Sequence, residues 1–209
     1  MNIETKVRQL YNAFGPRKKM GEPSSSVTQP HYFLLRSFRG ENDLLVILNT
    51  KRCRYSCSFC QLPAKSSTEW ISGEAILAQF EYVLRETRHC LGVLDRLTLS
   101  NEGSVLDEQT MPTETLLTIA RCVHELRRVR SLVLETRLEF VDAELLQRVK
   151  EACPRVQVNI LTGFETYDSC IKEEILGKTE PLEVFLAGLD RVAETESALT
   201  SFILYKPSP

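Results

Sequence analysis

Three cysteines lie close together in the chain at a spacing that can hold an iron–sulfur cluster. Cys53, Cys57 and Cys60 form a C-x3-C-x2-C triplet directly after the most apolar segment, residues 44–48. Iron–sulfur clusters usually take four Cys thiolates, whereas the next cysteine along the chain is Cys90. One iron of a cluster held by the triplet would stay open to another ligand. Because an open iron can bind and reduce a substrate, the triplet predicts catalysis.

A zinc site or a set of plain buried thiols could also account for the triplet. Structural zinc takes four ligands in a closed tetrahedral shell. The only histidines are His31, His89 and His124, and none lies at a finger-like spacing from the triplet. We therefore favour an iron–sulfur cluster. The four remaining cysteines are widely spaced, and we expect them to be buried free thiols.

The triplet also carries a family resemblance, because an aromatic residue, Phe59, stands just before its last cysteine. This pattern resembles the signature of radical S-adenosylmethionine (radical SAM) enzymes. The resemblance implies a 4Fe-4S cluster whose open iron chelates SAM, with Phe59 beside the cofactor. It also implies a one-electron donor, such as a flavodoxin or a ferredoxin, and a 5′-deoxyadenosyl radical that abstracts hydrogen from a substrate.

The composition indicates an ordinary globular chain. Of the 209 residues, 43% are hydrophobic and 26% are charged, which allows a substantial core and excludes a disordered or fibrous protein. The first residues form no apolar signal region, and no apolar stretch approaches the roughly 20 residues that cross a bilayer. Seven cysteines, an odd number, also favour a reducing compartment. We expect a cytoplasmic protein without a membrane partner.

The charge is unevenly distributed along the chain. The net charge is −2, but residues 1–60 carry ten Lys/Arg against four Asp/Glu, and residues 61–209 carry sixteen against twenty-four. A basic region next to the cysteine triplet could attract phosphate-bearing substrates or RNA. A solvated surface accounts for the same excess, and on charge alone we favour that interpretation.

Secondary-structure patterns divide the chain into a short leading part and one catalytic domain. Residues 1–30 predict a helix at 3–13 and a linker rich in Pro, Gly and Ser, and residues 31–209 form the domain. Apolar runs predict five strands that alternate with four helices, an α/β pattern typical of a parallel sheet. An amphipathic strand is expected near Tyr32. The five strands are residues 44–49, 97–100, 132–135, 156–161 and 202–205.

The helix boundaries follow from capping signals. Ser72 and Asp142 can each cap a helix, and Pro112 and Pro181 can each precede a first helical turn. The family resemblance implies a partial (β/α) TIM-like barrel with six strands. Because the chain stops just after the fifth predicted strand, we expect that it is a fragment or that a partner chain supplies the last strand.

In parallel α/β folds, functional residues lie at the carboxyl ends of the strands. After the second predicted strand come Asn101, Glu102 and Gly103, which resemble the family loop that holds the methionine amino group of SAM. After the third come Glu135 and Arg137, which resemble a segment beside SAM in the Elongator catalytic subunit. A strand-to-helix turn and an ordinary ion pair are the alternatives.

The fourth strand ends in a further motif of this kind. Gly163 and Glu165, followed by the segment Ile175-Leu-Gly-Lys178, resemble a family segment that contacts the nucleoside of SAM. Glycine allows close backbone approach to a ligand, although Gly163 could also mark a bulge and Glu165 a solvated charge. Lys206, in the fifth strand's turn, is a weaker candidate.

The order of these motifs is most similar to a radical SAM subgroup that includes the Elongator catalytic subunit and the archaeosine-forming radical subunit. That resemblance implies tRNA or a modified nucleoside as substrate. A small metabolite or peptide is the alternative substrate class. A cluster- or zinc-binding module without catalysis is the alternative function. No catalytic side chain beyond the cofactor-binding residues can be assigned from the sequence.

Overall fold

The structure, a computed structural model, describes residues 26–38, 40–60, 62 and 66–205. The helix expected at 3–13, most of the linker and Lys206 lie outside these residues. Within them, six strands form one sheet in the order β1-β2-β3-β4-β5-β6. Strand β1 is antiparallel to β2, and every later pair of neighbours is parallel. The strands are β1 (Tyr32–Phe38), β2 (Glu41–Leu48), β3 (Arg96–Asn101), β4 (Ser131–Glu135), β5 (Gln157–Glu165) and β6 (Ala198–Ile203).

The expected parallel α/β sheet is confirmed, and a strand, β1, covers the region near Tyr32. The boundaries of the last strand were wrong, because β6 begins at Ala198 and not at Phe202. The stretch from Ala198 to Ser201 contains small and hydroxyl side chains and lacks an apolar run. Its backbone pairs with β5 from Asn159 onward, so pairing with the neighbouring strand outweighs the weak local pattern.

Four α-helices connect the parallel strands, as the capping signals predict. The Ser72 hydroxyl accepts a hydrogen bond from the amide of Ala75, and the Asp142 carboxylate accepts one from Leu145. Short 3-10 turns cover Leu91–Val93 and Leu138–Phe140, and a π-helix covers Cys170–Ile175. The α-helices are α1 (Gly73–Glu86), α2 (Thr113–Glu125), α3 (Ala143–Ala152) and α4 (Leu182–Glu194).

Alternation along the strands gives the sheet one apolar face and one largely polar face. Leu97 and Leu99 of β3 are fully buried, with similar pairs on β2, β4 and β5, and they join one core with the helix side chains. On the other face, Thr98 donates a hydrogen bond to the buried carboxylate of Asp43 at 2.9 Å, and Arg36 pairs with Asp43 at 2.8 Å. This second face of the sheet therefore carries a hydrogen-bonded polar network below the carboxyl ends of the strands.

Helix α4 packs closely against the 3-10 turn that follows β4. A Cβ atom added to Gly188 would lie 2.6 Å from the Leu138 Cβ and 2.7 Å from the Leu138 carbonyl oxygen. Arg191, one turn further on, donates hydrogen bonds to the carbonyls of Val141 and Leu138. This contact fixes the segment that begins at Arg137. No α-helix within the described residues is long and apolar enough to cross a membrane.

We expect Gly188→Ala to lower the free energy of unfolding by about 1–3 kcal/mol, because the added methyl overlaps backbone that cannot move aside. Chemical denaturation monitored by circular dichroism measures the change. Gly92→Ala is the matched control, since nothing lies within 4 Å of its added Cβ. Equal midpoints for Gly188→Ala and the control would contradict the close packing.

Candidate active site

The loops after β2, β3, β4 and β5 enclose one open pocket at the carboxyl edge of the sheet. The structure brings all eleven residues of the sequence-based site to this pocket, although they span more than a hundred positions of the chain. They are Cys53, Cys57, Phe59, Cys60, Asn101, Glu102, Gly103, Glu135, Arg137, Gly163 and Glu165.

The cysteine loop is anchored to its neighbours by backbone and side-chain hydrogen bonds. The Cys53 amide donates to the carbonyl of Glu102 at 3.1 Å. Further along, the Ser58 amide and hydroxyl donate to the carbonyls of Leu176 and Ile175 at 2.7 and 3.1 Å. Between these points, Arg54 contacts both carboxylate oxygens of Asp107, at 2.9 and 2.8 Å. The loop thus joins two other strand-end segments of the pocket.

The environment of the thiols is partly buried and flanked by cations. Burial raises the pKa of Cys57, while the charges of Arg137 and Lys178 act to lower it. Phe59 is 40% exposed at the pocket mouth. Among the described residues, no three His, Cys, Asp or Glu side chains are close enough together to hold a single metal ion. A 4Fe-4S cluster bonds each thiolate to a different iron atom, so its three cysteines need to face a common pocket but need not converge on one point.

The loop after β3 is held by its own side chains. The Asn101 carboxamide accepts a hydrogen bond from the Gly103 amide at 2.9 Å and donates one to the Thr110 hydroxyl at 3.1 Å. A Cβ atom at Gly103 would lie 2.8 Å from the Thr110 methyl group. Asn101 therefore shapes the turn, and Gly103 provides the space for it.

Glu102 is 1% exposed and connects three segments of the chain. Its carboxylate accepts hydrogen bonds from the Thr50 amide and the Ser66 hydroxyl, and the His31 Nδ1 atom lies 2.9 Å from Oε1. Burial raises the pKa of Glu102 to about 7, against the lowering effect of those hydrogen bonds. These contacts indicate that Glu102 fixes the start of the cysteine loop, in addition to lining the pocket.

The end of β4 contributes one carboxylate, Glu135, and one guanidinium, Arg137. Burial raises the pKa of Glu135, which is partly offset by a hydrogen bond from Ser100. The Arg137 side chain is buried, donates to Glu139 at 2.7 Å and to the Thr179 carbonyl at 3.2 Å, and lies 3.8 Å from the centre of the Tyr55 ring. These contacts use two of the five guanidinium N–H groups, so Arg137 keeps donors for a ligand.

The end of β5 is bent by a bulge between Gly163 and Glu165, and Glu165 has a positive φ of 68°. A Cβ atom at Gly163 would overlap the Glu165 carboxylate and lie 3.2 Å from the Lys178 Nζ atom. Lys178 donates a hydrogen bond to the Gly163 carbonyl. Because Gly163 has no side chain, it leaves the space in which the Glu165 and Lys178 side chains meet.

Several further residues that were not assigned to the site from the sequence also line the pocket. Tyr55 lies under Arg137, and burial together with its hydrogen bond to Glu139 raises its pKa to about 12. Leu62, Thr136 and Lys178 also line the pocket. Tyr55 lies inside the triplet and Lys178 ends the segment Ile175-Leu-Gly-Lys178, so their neighbourhood is visible in the sequence, but their contacts depend on the tertiary fold.

Comparison with known proteins gives one family and a small set of relatives. The model of the Radical SAM superfamily matches residues 47–207. An uncharacterised protein of Methanocaldococcus jannaschii is 26% identical over 180 residues, which cover 83% of this chain and 49% of that protein. Archaeosine synthase subunit beta of Thermococcus kodakarensis is 25% identical over 170 residues, which cover 78% of this chain and 52% of that protein. The chain thus spans about half the length of these curated relatives.

A solved structure shares the fold. The queuine lyase from Clostridium spiroforme, bound to SAM and queuine, superposes with a TM-score of 0.53 and 15% identity. The match covers 85% of this chain and 81% of that chain. At this identity the likeness shows the fold alone, and it confirms the expected partial barrel.

We expect Gly163→Ala to weaken SAM binding by about tenfold, since the new methyl occupies the position of the Glu165 carboxylate and removes its hydrogen bond to the ligand. Equilibrium dialysis with labelled SAM on the cluster-reconstituted protein measures the effect. Thr162→Val is the matched control, because the Thr162 side chain is buried and its hydroxyl has no hydrogen-bond partner among the described residues. Unchanged SAM affinity in Gly163→Ala would contradict the role of this space.

Proposed function

This chain belongs to the radical SAM superfamily, whose model matches residues 47–207, and we propose that its pocket binds a 4Fe-4S cluster through Cys53, Cys57 and Cys60 and cleaves SAM reductively. The observation that carries the proposal is that the three cysteines and the polar residues at the other strand ends line one pocket. Three thiols from one loop face polar side chains from the ends of three other strands. The remaining four cysteines do not line it, which fits a cluster with one open iron.

The donor set of the pocket fits the cofactor pair. The three thiols would hold the cluster, with Arg137 and Lys178 favouring the thiolate form of Cys57. Arg137 retains guanidinium donors for the SAM carboxylate. The carboxylates of Glu135 and Glu165 would accept hydrogen bonds from ribose hydroxyls, and the loop of Asn101, Glu102 and Gly103 would hold the methionine amino group. When bound, the cluster and SAM would supply a 5′-deoxyadenosyl radical for hydrogen abstraction.

The proposal includes a one-electron donor protein and a reducing cellular compartment. Reductive cleavage needs one electron at a time, so we include a flavodoxin- or ferredoxin-like donor. An oxygen-sensitive cluster also needs reduced thiols, which favours the cytoplasm. All seven cysteines are free in the structure, in keeping with such a compartment.

We expect the anaerobically reconstituted protein, given dithionite and SAM, to form methionine and 5′-deoxyadenosine in equal amounts. Cys57→Ala should form less than about 1% of either product, because a chelating set does not tolerate the loss of one thiolate. Liquid chromatography with mass spectrometry measures both products.

Cys122→Ala is the matched control for this experiment, since Cys122 lies on α2 and does not line the pocket. It should retain the wild-type rate. The non-catalytic alternative gives a different result, in which the protein keeps one equivalent of zinc and releases neither product. That outcome would remove the proposed function.

For the substrate, we propose a modified nucleobase or a tRNA that carries one. Two similar proteins are named for archaeosine and queuine, which are modified nucleoside and nucleobase compounds. One buried polar atom on the polar face of the sheet supports a polar heterocycle as ligand, since the Asn159 carboxamide oxygen has no hydrogen-bond partner among the described residues. A small metabolite or peptide is the alternative.

We expect unfractionated tRNA or free queuine to raise the rate of 5′-deoxyadenosine formation by about tenfold, because substrate binding supplies interactions that favour the reacting geometry. Heparin at equal mass is the control for a general polyanion effect. Stimulation by a peptide or metabolite extract, with none by tRNA or queuine, would instead support the alternative substrate class.

A further inference from the structure

Four charged side chains are buried close together at one side of the pocket, and two of them, Glu165 and Lys178, line it. Glu165, Lys172, Lys178 and Glu180 are each at most 5% exposed. Lys178 Nζ lies 3.6 Å from Glu165 Oε1 and 3.5 Å from Glu180 Oε2. Neither oxygen of Glu180 has a hydrogen-bond partner among the described residues. Because a buried charge is stable only when it is paired, this group needs Lys178 at its centre.

Three protein oxygens surround the Lys178 ammonium group. It donates a hydrogen bond to the Gly163 carbonyl, and the Glu165 and Glu180 carboxylates lie at ion-pair distances of 3.6 and 3.5 Å. The positive charge of Lys178 is therefore directed at two carboxylates of the protein. Arg137, which lines the same pocket, uses two of its five N–H groups for protein contacts.

The Glu165 carboxylate depends on this ammonium group. The bulge and the positive φ of Glu165 turn its side chain over Gly163 and into the pocket. Its backbone carbonyl accepts a hydrogen bond from the Leu204 amide at 2.9 Å, which holds the turn from the side of β6. The carboxylate end of the side chain is held by Lys178.

We propose that Lys178, itself held by Glu180, is a positioning residue that fixes the Glu165 carboxylate as an anion over Gly163 for contact with the ribose hydroxyls of SAM. The inference rests on the proposed function for the identity of the ligand. The salt bridges and the burial of the four side chains are independent of it.

The charges around Glu165 give the expected direction of change. Burial raises the pKa of Glu165 and Lys178 lowers it, while Glu180 raises it and Lys172 lowers it. Glu135, at the end of the adjacent strand, also repels the anion. Removing Lys178 leaves Glu165 with two acidic neighbours and one basic neighbour, so its pKa must rise. Removing the charge of Glu180 must lower it.

The test combines a titration with a binding measurement. The full chain is labelled with 13C at glutamate carboxyl groups, and the Glu165 signal is assigned by its loss in Glu165→Gln. NMR titration before cluster reconstitution then gives the Glu165 pKa in Lys178→Met, Lys178→Arg and Glu180→Gln. Labelled SAM is dialysed against each reconstituted protein across the same pH range, and circular dichroism verifies folding.

We expect Lys178→Met to raise the Glu165 pKa and to weaken SAM binding about tenfold at low pH, with recovery as the pH rises, since one unit of pKa corresponds to a factor of ten. Lys178→Arg should restore most of the affinity, and Glu180→Gln should move the Glu165 pKa in the opposite direction. In the Glu165→Gln background, Lys178→Met should change SAM affinity by less than about twofold, because the two residues act as one unit.

Three outcomes would overturn the inference: an unchanged Glu165 pKa in Lys178→Met, an equal loss of affinity at every pH, or a full additional loss in the Glu165→Gln background. Failure of the proposed function gives a different result, since the wild-type protein would then neither bind nor cleave SAM. If Lys178→Met does not fold, the opposite pKa shift in Glu180→Gln and the rescue by Lys178→Arg still decide the question.

Discussion

The pocket depends on pairing ionic side chains, most of them buried, with partners of opposite charge. Arg137 is paired with Glu139, Lys178 with Glu165 and Glu180, and Arg54 with Asp107. A buried charge that loses its partner is strongly destabilising, whereas a well-paired set can be held in one fixed geometry. The Arg54–Asp107 pair joins the loops after β2 and β3, and the Lys178–Glu165 pair joins the end of β5 to the segment after the π-helix, so these two pairs set the shape of the pocket as well as its charge.

The cysteine loop is part of the same arrangement. It contributes few buried apolar side chains of its own, and its position comes from hydrogen bonds to other loops. At its start, the Cys53 amide donates a hydrogen bond to the Glu102 carbonyl. Further along, Ser58 donates hydrogen bonds to carbonyls at the carboxyl end of the π-helix Cys170–Ile175. A π-helix is a rare distortion that is often found at functional sites. Here its carboxyl end directs two carbonyl groups at the cysteine loop and leads within three residues to Lys178.

Much of this site could be predicted from the sequence because parallel strands all end at one edge of a sheet. Asn101, Glu135 and Gly163 follow apolar runs in the chain, and the sheet order alone brings them together. The cysteine triplet could be identified from its spacing alone. The last strand was misplaced because its first residues lack an apolar run, and backbone pairing with β5 determines where it begins.

The remaining features depend on contacts that local patterns do not encode. The carboxylate of Glu102 stands in a motif similar to a SAM-binding loop, yet its hydrogen bonds go to Thr50 and Ser66, and His31 also lies against it. Which neighbours surround a buried acid is decided by loop packing. The role of Lys178 also depends on packing, since the oxygens around its ammonium group come from β5 and from the segment after the π-helix.

The two cations that line the pocket show how side-chain chemistry divides their roles. Arg137 and Lys178 are buried to a similar extent, at 8% and 3% exposure. A guanidinium presents five donors in a plane and an ammonium presents three. Two protein contacts leave Arg137 with donors to spare, whereas the Lys178 ammonium group lies between the Gly163 carbonyl and the carboxylates of Glu165 and Glu180. It follows that Arg137 is suited to bind an anionic ligand group directly, whereas the charge of Lys178 is directed at Glu165.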